Sequence, residues 1–243
     1  MGGIGTGCIG LSGNGHLVDW EIFNRANKCS FNGYSHFAVR LEQDGEVKSF
    51  RLLHGDTQPP YTGFNTPGDT CKYHGFGFGP PAELLCGWPH FPKHEFKGEF
   101  PLAEIAFEDP DFPCQVKLAA WNIFIPGESR ISSLPGTCFE IEITNPTDKA
   151  FDCTGIGVLG NPWTQKEHYN KLNGNQLSMF SGLDPQDMKY GDMTLQVLPQ
   201  ENDQVSGQAY LFRGGWVDDR ETYYNDLMAG GLFKPRDYQA PWE

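Results

Sequence analysis

The sequence is short of positive charge. Lys and Arg number 18 against 31 Asp and Glu, which leaves a net charge of −13. An acidic surface repels phosphate backbones, so nucleic acid is excluded as a natural partner. It also offers no basic patch for an anionic membrane. Neutral partners such as sugars stay open. Long hydrophobic runs are missing too: nothing reaches the ~18 apolar residues of a membrane span. Met1 is followed by glycines rather than by a basic and then apolar leader. The seven cysteines (Cys8, Cys29, Cys71, Cys86, Cys114, Cys138, Cys153) are odd in number and contain no C-x-x-C spacing. That fits neither a disulfide framework nor a zinc ribbon. They read as free, buried thiols in a reducing compartment, so the cytoplasm is the expected location. A secreted or periplasmic location stays open, because Met1 need not be the natural start.

Helical periodicity is scarce, and so are the motifs of familiar chemistry. There is no P-loop, no H-E-x-x-H and no nucleophile elbow; Ser129 to Ser133 lack a glycine frame. His90 and His94 are four apart, but Pro89 and Pro92 argue against a helix that would put them on one face. The other histidines (His16, His36, His54, His74, His168) read as isolated. No metal and no cofactor is expected. Gly5-Thr6-Gly7-Cys8-Ile9-Gly10 matches G-x-G-x-x-G. The dinucleotide reading needs a strand before it and a helix after it. Turn chemistry follows instead, in Leu11-Ser12-Gly13-Asn14-Gly15, so the glycines read as a close-packed strand or loop.

What the chain has in quantity is alternation. Phe37, Val39 and Leu41 alternate with Ala38 and Arg40, and Asp44-Gly45 then turns the chain into Val47 to Leu53. This predicts a hairpin with one buried and one wet face. Val116, Leu118 and Ala120 repeat the pattern, and Phe139, Ile141 and Ile143 do so against Glu140, Glu142 and Thr144, stopping at Asn145-Pro146. Phe151 to Leu159, Met193 to Leu198 and Val205 to Phe212 are further strand candidates. The best helix runs from Glu221 to Ala229 and ends at Gly230-Gly231. Thirty glycines and eighteen prolines punctuate short strands and long loops. The fold class expected is all-β: a large antiparallel β-sandwich with long loops and one or two short helices. Residues 1–243 are expected to form a single sandwich domain.

Aromatic residues make up 14%. Rings pack sandwich cores and also stack on sugars. Asp19-Trp20-Glu21-Ile22-Phe23-Asn24-Arg25 is the densest mix of charge and ring. It reads either as the wall of a sugar site or domain interface, or as a strand with an ion pair and a buried Trp. Trp88, Trp163, Trp216 and Trp242 lie in loop-like surroundings, where a Trp stacks on a pyranose or buries in an interface. The site candidates are thus Asp19, Trp20, Glu21, Asn24, Arg25, Trp163 and Trp216, as substrate-mouth or interface residues. Glycosidic hydrolysis takes two carboxyls across one ring. Asp19, Glu21, Asp69, Glu104, Asp109, Asp218, Asp219 and Glu221 are available. Their places on polar strand faces read as solvated surface, so no catalytic pair is assigned.

The same residues carry a family resemblance. Gly2 to Gly10 and Gly15 to Arg25 resemble the opening of the N-terminal domain of family 116 glycoside hydrolases, the bile-acid β-glucosidase or non-lysosomal glucosylceramidase group. Phe100-Pro101-Leu102-Ala103-Glu104 with Asp109 to Pro113, Ala120 to Pro126, Ser132 to Pro135 and Thr144 to Thr147 are similar to that domain in the same order. So are Phe212 to Trp216 and Thr222 to Asp226. The resemblance implies a supersandwich-like β-domain followed by an (α/α)6 barrel that supplies the catalytic Glu and Asp. No catalytic position falls in this chain, which is expected to stop before the barrel. The implied role is a non-catalytic accessory domain that docks on the barrel and shapes its mouth. The implied substrates of the whole enzyme are β-glucosides or glycolipid-type sugars. An autonomous carbohydrate-binding module is the alternative.

Overall fold

A computed structural model describes residues 1–24, 26–28, 30–57, 82–211 and 219–235. Among them are twelve strands in four sheets, two short α-helices and a 3-10 turn at Ala82–Leu84. The all-β expectation holds. By its contacts the chain divides into two compact units: residues 1–41 with 48–160, and residues 42–47 with 161–243.

The first unit opens with a small antiparallel ribbon, β1 (Cys8–Leu11) and β2 (Leu17–Glu21). The glycine motif therefore is a strand and its approach, as its turn chemistry required. Next come β3 (His36–Gln43) and β4 (Glu46–Leu52), whose tip belongs to the second unit. Asp44 and Gly45 both take positive φ, at 55° and 78°, the turn that a right-handed hairpin twist favours. β9 (Asp152–Val158) completes this sheet in the order β4-β3-β9. A four-stranded antiparallel sheet follows the order β5-β6-β7-β8, made of Lys93–Glu99, Leu102–Glu108, Gln115–Asn122 and Thr137–Thr144.

The core collects one face from each of these two sheets. Val39 and Leu41 of β3 pack with Ile105 and Phe107 of β6 and with Val116 and Leu118 of β7. Phe91, Phe112 and Cys114 join them, and Phe139, Ile141 and Ile143 of β8 pack alongside. The register pairs Ile105 with Leu118 and Leu118 with Ile141, so one apolar row crosses three strands. Edge strand β5 is exposed at all seven positions. Its Lys93 and Lys97 are the kind of charge that keeps an edge from pairing further.

Two readings needed correction. β3 is not half wet: Ala38 and Arg40, read as its polar face, are as buried as Val39 and Leu41. Alternation told which residues share a face, but coverage of the second face is a tertiary matter. The stretch from Val205 forms no strand over its described residues 205–211.

In the second unit β10 (Tyr169–Asn173), β11 (Gln176–Phe180) and β12 (Asp192–Gln196) form an antiparallel meander. Among the described residues of this unit, Met179, Ser181 and Leu227 are fully buried. Helix α2 (Asp219–Ala229) matches the helix expected there, and Gly230 and Gly231 terminate it with positive φ. Glu42 accepts a hydrogen bond from the Gly231 amide at 2.9 Å, closing that terminus. The short α1 (Ser129–Ser132) belongs to the first unit.

Candidate functional site

The segment from Asp19 to Asn24 holds the polar cluster that the sequence singled out. Asp19 and Asn24 both adopt positive φ, at 52° and 51°. Trp20 turns inward and is 4% exposed. Its indole donates to the Leu17 carbonyl at 3.2 Å, and its amide donates to Ser30 Oγ at 2.8 Å. A ring so placed packs the β-ribbon and has no face for a sugar. Lys28 Nζ sits between the two carboxylates, 2.8 Å from Glu21 and 3.5 Å from Asp19. That hydrogen bond, with a second from the Asn27 amide, holds Glu21 below its ordinary pKa. An acid catalyst needs the opposite shift. Phe23 and Asn24 are exposed, and Arg25 lies outside the described residues.

Trp163 lies in the second unit, buried, with the Gly191 backbone close against its ring. Trp216 lies outside the described residues. Of the seven candidates, the structure brings Asp19, Trp20, Glu21 and Asn24 into one segment and places Trp163 in the other unit.

Sequence reasoning missed two features of the first unit. One is an open apolar end of the four-stranded sheet. Ile4, Phe100, Leu102, Ile123, Ile125, Ile131 and Leu134 are all exposed there, Phe100 to 67%. Four chain segments converge on it. Gly2 donates to Asn122 Oδ1 at 2.7 Å, Asn122 donates to the Pro101 carbonyl at 3.1 Å, and Ile4 donates to Ser132 at 2.9 Å. Gly3 presses on the Leu134 carbonyl so closely that a Cβ would stand 2.3 Å from it. The Phe100 ring meets Phe124 edge-on at 4.9 Å. A cluster of this kind on one end is uncommon for a surface that faces only water. The signal was in the sequence, since Leu102 breaks the polar face of β6, but the four segments meet only in three dimensions.

The other feature is a stack of histidines. Spacing along the chain leaves His16 and His54 isolated and His90 in a pair that proline keeps from being helical. Instead their rings lie 4.3 Å and 5.1 Å apart in succession. Among the described residues no His, Cys, Asp or Glu group is arranged to hold a metal ion. Nor is any helix among them long and apolar enough to cross a membrane. The five described cysteines are free thiols, but of these only Cys114 is buried, and Cys8 and Cys153 are exposed, contrary to the buried setting expected of them.

The first unit is thus a β-rich body whose polar cluster is paired within itself and whose apolar end is open. The family model described as "beta-glucosidase 2, glycosyl-hydrolase family 116 N-term" matches residues 1–241, and the chain belongs to that family. No curated protein matches the chain.

Proposed function

We propose that this chain is a non-catalytic accessory domain of a β-glucosidase or glucosylceramidase-like hydrolase. Residues 1–243 act as one β-sandwich module ahead of an (α/α)6 catalytic domain. The module docks on that domain and shapes the mouth of its active site. The whole enzyme acts on β-glucosides or glycolipid-type sugars, and the free thiols support a cytoplasmic setting. The observation that carries the docking reading is the apolar end of the four-stranded sheet. Its seven exposed side chains are the stock of an interface core, and the family description supplies a larger enzyme for them to meet. The carbohydrate-binding alternative has less support, because Trp20 and Trp163 are buried.

The test is binding of this chain to a separately produced helical domain of a family member. Phe100→Asp and Leu134→Asp each put a charge in the apolar end. Either is expected to weaken binding by roughly tenfold or more, the cost of desolvating an unpaired charge in an interface. Unchanged affinity in both variants would rule out this face, and no binding by the unaltered chain would rule out docking. Turnover of an aryl β-glucoside by the isolated chain would contradict the non-catalytic role.

A further inference from the structure

The histidine stack joins three separate stretches of the first unit. His16 leads into β2, His54 follows β4, and His90 precedes β5. The His54 and His90 rings are near parallel at 22°, and His16 tilts 31° from His54. The backbone around them is stitched across the same three stretches. Gly55 donates to Asn14 at 2.7 Å, Leu52 to Pro89 at 2.8 Å and Phe91 to His54 at 3.1 Å. Asn14 Nδ2 donates to the Asp56 carbonyl at 3.1 Å.

The protonation states follow from the partners. His54 Nδ1 lies 2.9 Å from the Gly55 carbonyl, so that nitrogen carries the proton and donates. Its Nε2 is buried and, among the described residues, has no hydrogen-bond partner. A second proton there would be a donor without an acceptor, on a charged ring stacked against two others. His16 Nε2 faces Thr57 Oγ1 at 3.3 Å, and that hydroxyl also meets Cys86 Sγ at 2.8 Å. Neither offers a negative charge. From β3, His36 adds to the repulsion, and from β5, His94 Nδ1 lies against Gly55. Among the described residues the carboxylate in contact is Asp56, 2.8 Å from His90 Nε2 and mostly exposed; Asp109 acts on His90 from farther off. Among the described residues, counter-charge therefore reaches His90 at one end of the stack, and neither His54 in its middle nor His16 at its other end.

We propose that this stack is an acid-opened clasp: neutral His16 and His54, stacked in line with His90, hold residues 12–16, 53–57 and 86–92 together, and proton uptake by His16 and His54 parts them. Burial, and then the neighbouring imidazoles, lower His16 to about 4 and His54 to about 3. In an opened segment each returns toward the ordinary ~6.5. The open form then binds more protons than the closed one. Closure is complete above about pH 6.5 and is lost as pH falls from there toward 4. With two rings released together, the opening constant rises roughly a hundredfold or more between about pH 7.5 and pH 5. This inference is independent of the docking reading.

Hydrogen exchange of the intact chain, corrected for the intrinsic pH dependence of exchange, tests it. Exchange from the three stretches should rise across that window by an order greater than one proton, while β7 stays protected. His16→Phe and His54→Phe keep a ring and remove the titration, so each should flatten the rise. Exchange that stays flat until the carboxylate range, or that rises equally in both variants, would overturn the clasp. Should the variants fail to fold, histidine NMR titration of the unaltered chain decides. His16 and His54 rings that stay neutral until the clasp opens support it, and His16 and His54 rings that titrate near 6.5 in the closed form overturn it.

Discussion

Gly15 shows at single-residue scale what the glycine-rich opening is for. Its φ is +94°, and a Cβ there would lie 2.4 Å from the Leu53 carbonyl and 3.2 Å from the Phe107 ring. Gly45 has a φ of +78° but open space around it. Alanine at Gly45 therefore meets only the backbone penalty, about 1 kcal/mol. Alanine at Gly15 adds a clash with backbone and is expected to cost about 2–4 kcal/mol. Urea unfolding of the two variants measures the difference, and equal losses would remove close approach as the cause. The sequence marked both positions as turn glycines. It could not rank them, because the Leu53 carbonyl arrives from a distant segment. The same limit hid the histidine stack, whose members share no spacing. By contrast Asn145 was legible, since its cap is local: its side chain accepts from the Thr147 amide at 3.0 Å and donates to the Lys149 carbonyl at 2.6 Å.

Strands β7 and β8 were legible as elements because their alternation is faithful to the structure. Along β7, Val116, Leu118 and Ala120 are buried while Lys117 and Ala119 are not. Strand β3 shows the same lettering with a different outcome, since Arg40 is 1% exposed. Periodicity reports which side chains share a face, and only the neighbours decide whether that face is wet. The two neighbouring positions on β7 give a clean contrast. Leu118 is fully buried in the core, so Leu118→Ala should lose about 2–5 kcal/mol through lost transfer energy and a residual cavity. Lys117 makes a loose ion pair with Glu142 at 3.9 Å, both partly exposed, so Lys117→Ala should stay within about 0.5 kcal/mol. Denaturation midpoints at an unchanged m-value would show both effects. A large loss at Lys117 would mean that this strand, too, is covered on its second face.

On the scale of the whole molecule, two surface properties pull in opposite directions. The net charge of −13 drives copies apart, while the apolar end of the four-stranded sheet leaves exposed surface that association would bury. Salt separates the two, because it screens the repulsion and leaves apolar attraction in place. The isolated chain is therefore expected to self-associate more as ionic strength rises, the reverse of an association driven by opposite charges. Phe100→Ser with Leu134→Ser should weaken that association. Phe100 is largely exposed and Leu134 about half exposed, so the pair should cost no more than about 1 kcal/mol of unfolding stability. Sedimentation velocity across a salt series, on parent and double variant, reads both expectations. Association that weakens with salt would assign it to charge rather than to the apolar end. Association unchanged by the double variant would place the contact elsewhere on the surface. Agreement with both would assign the self-association to the apolar end and to burial of its exposed side chains, because only an apolar contact both survives screening and weakens when those side chains become polar.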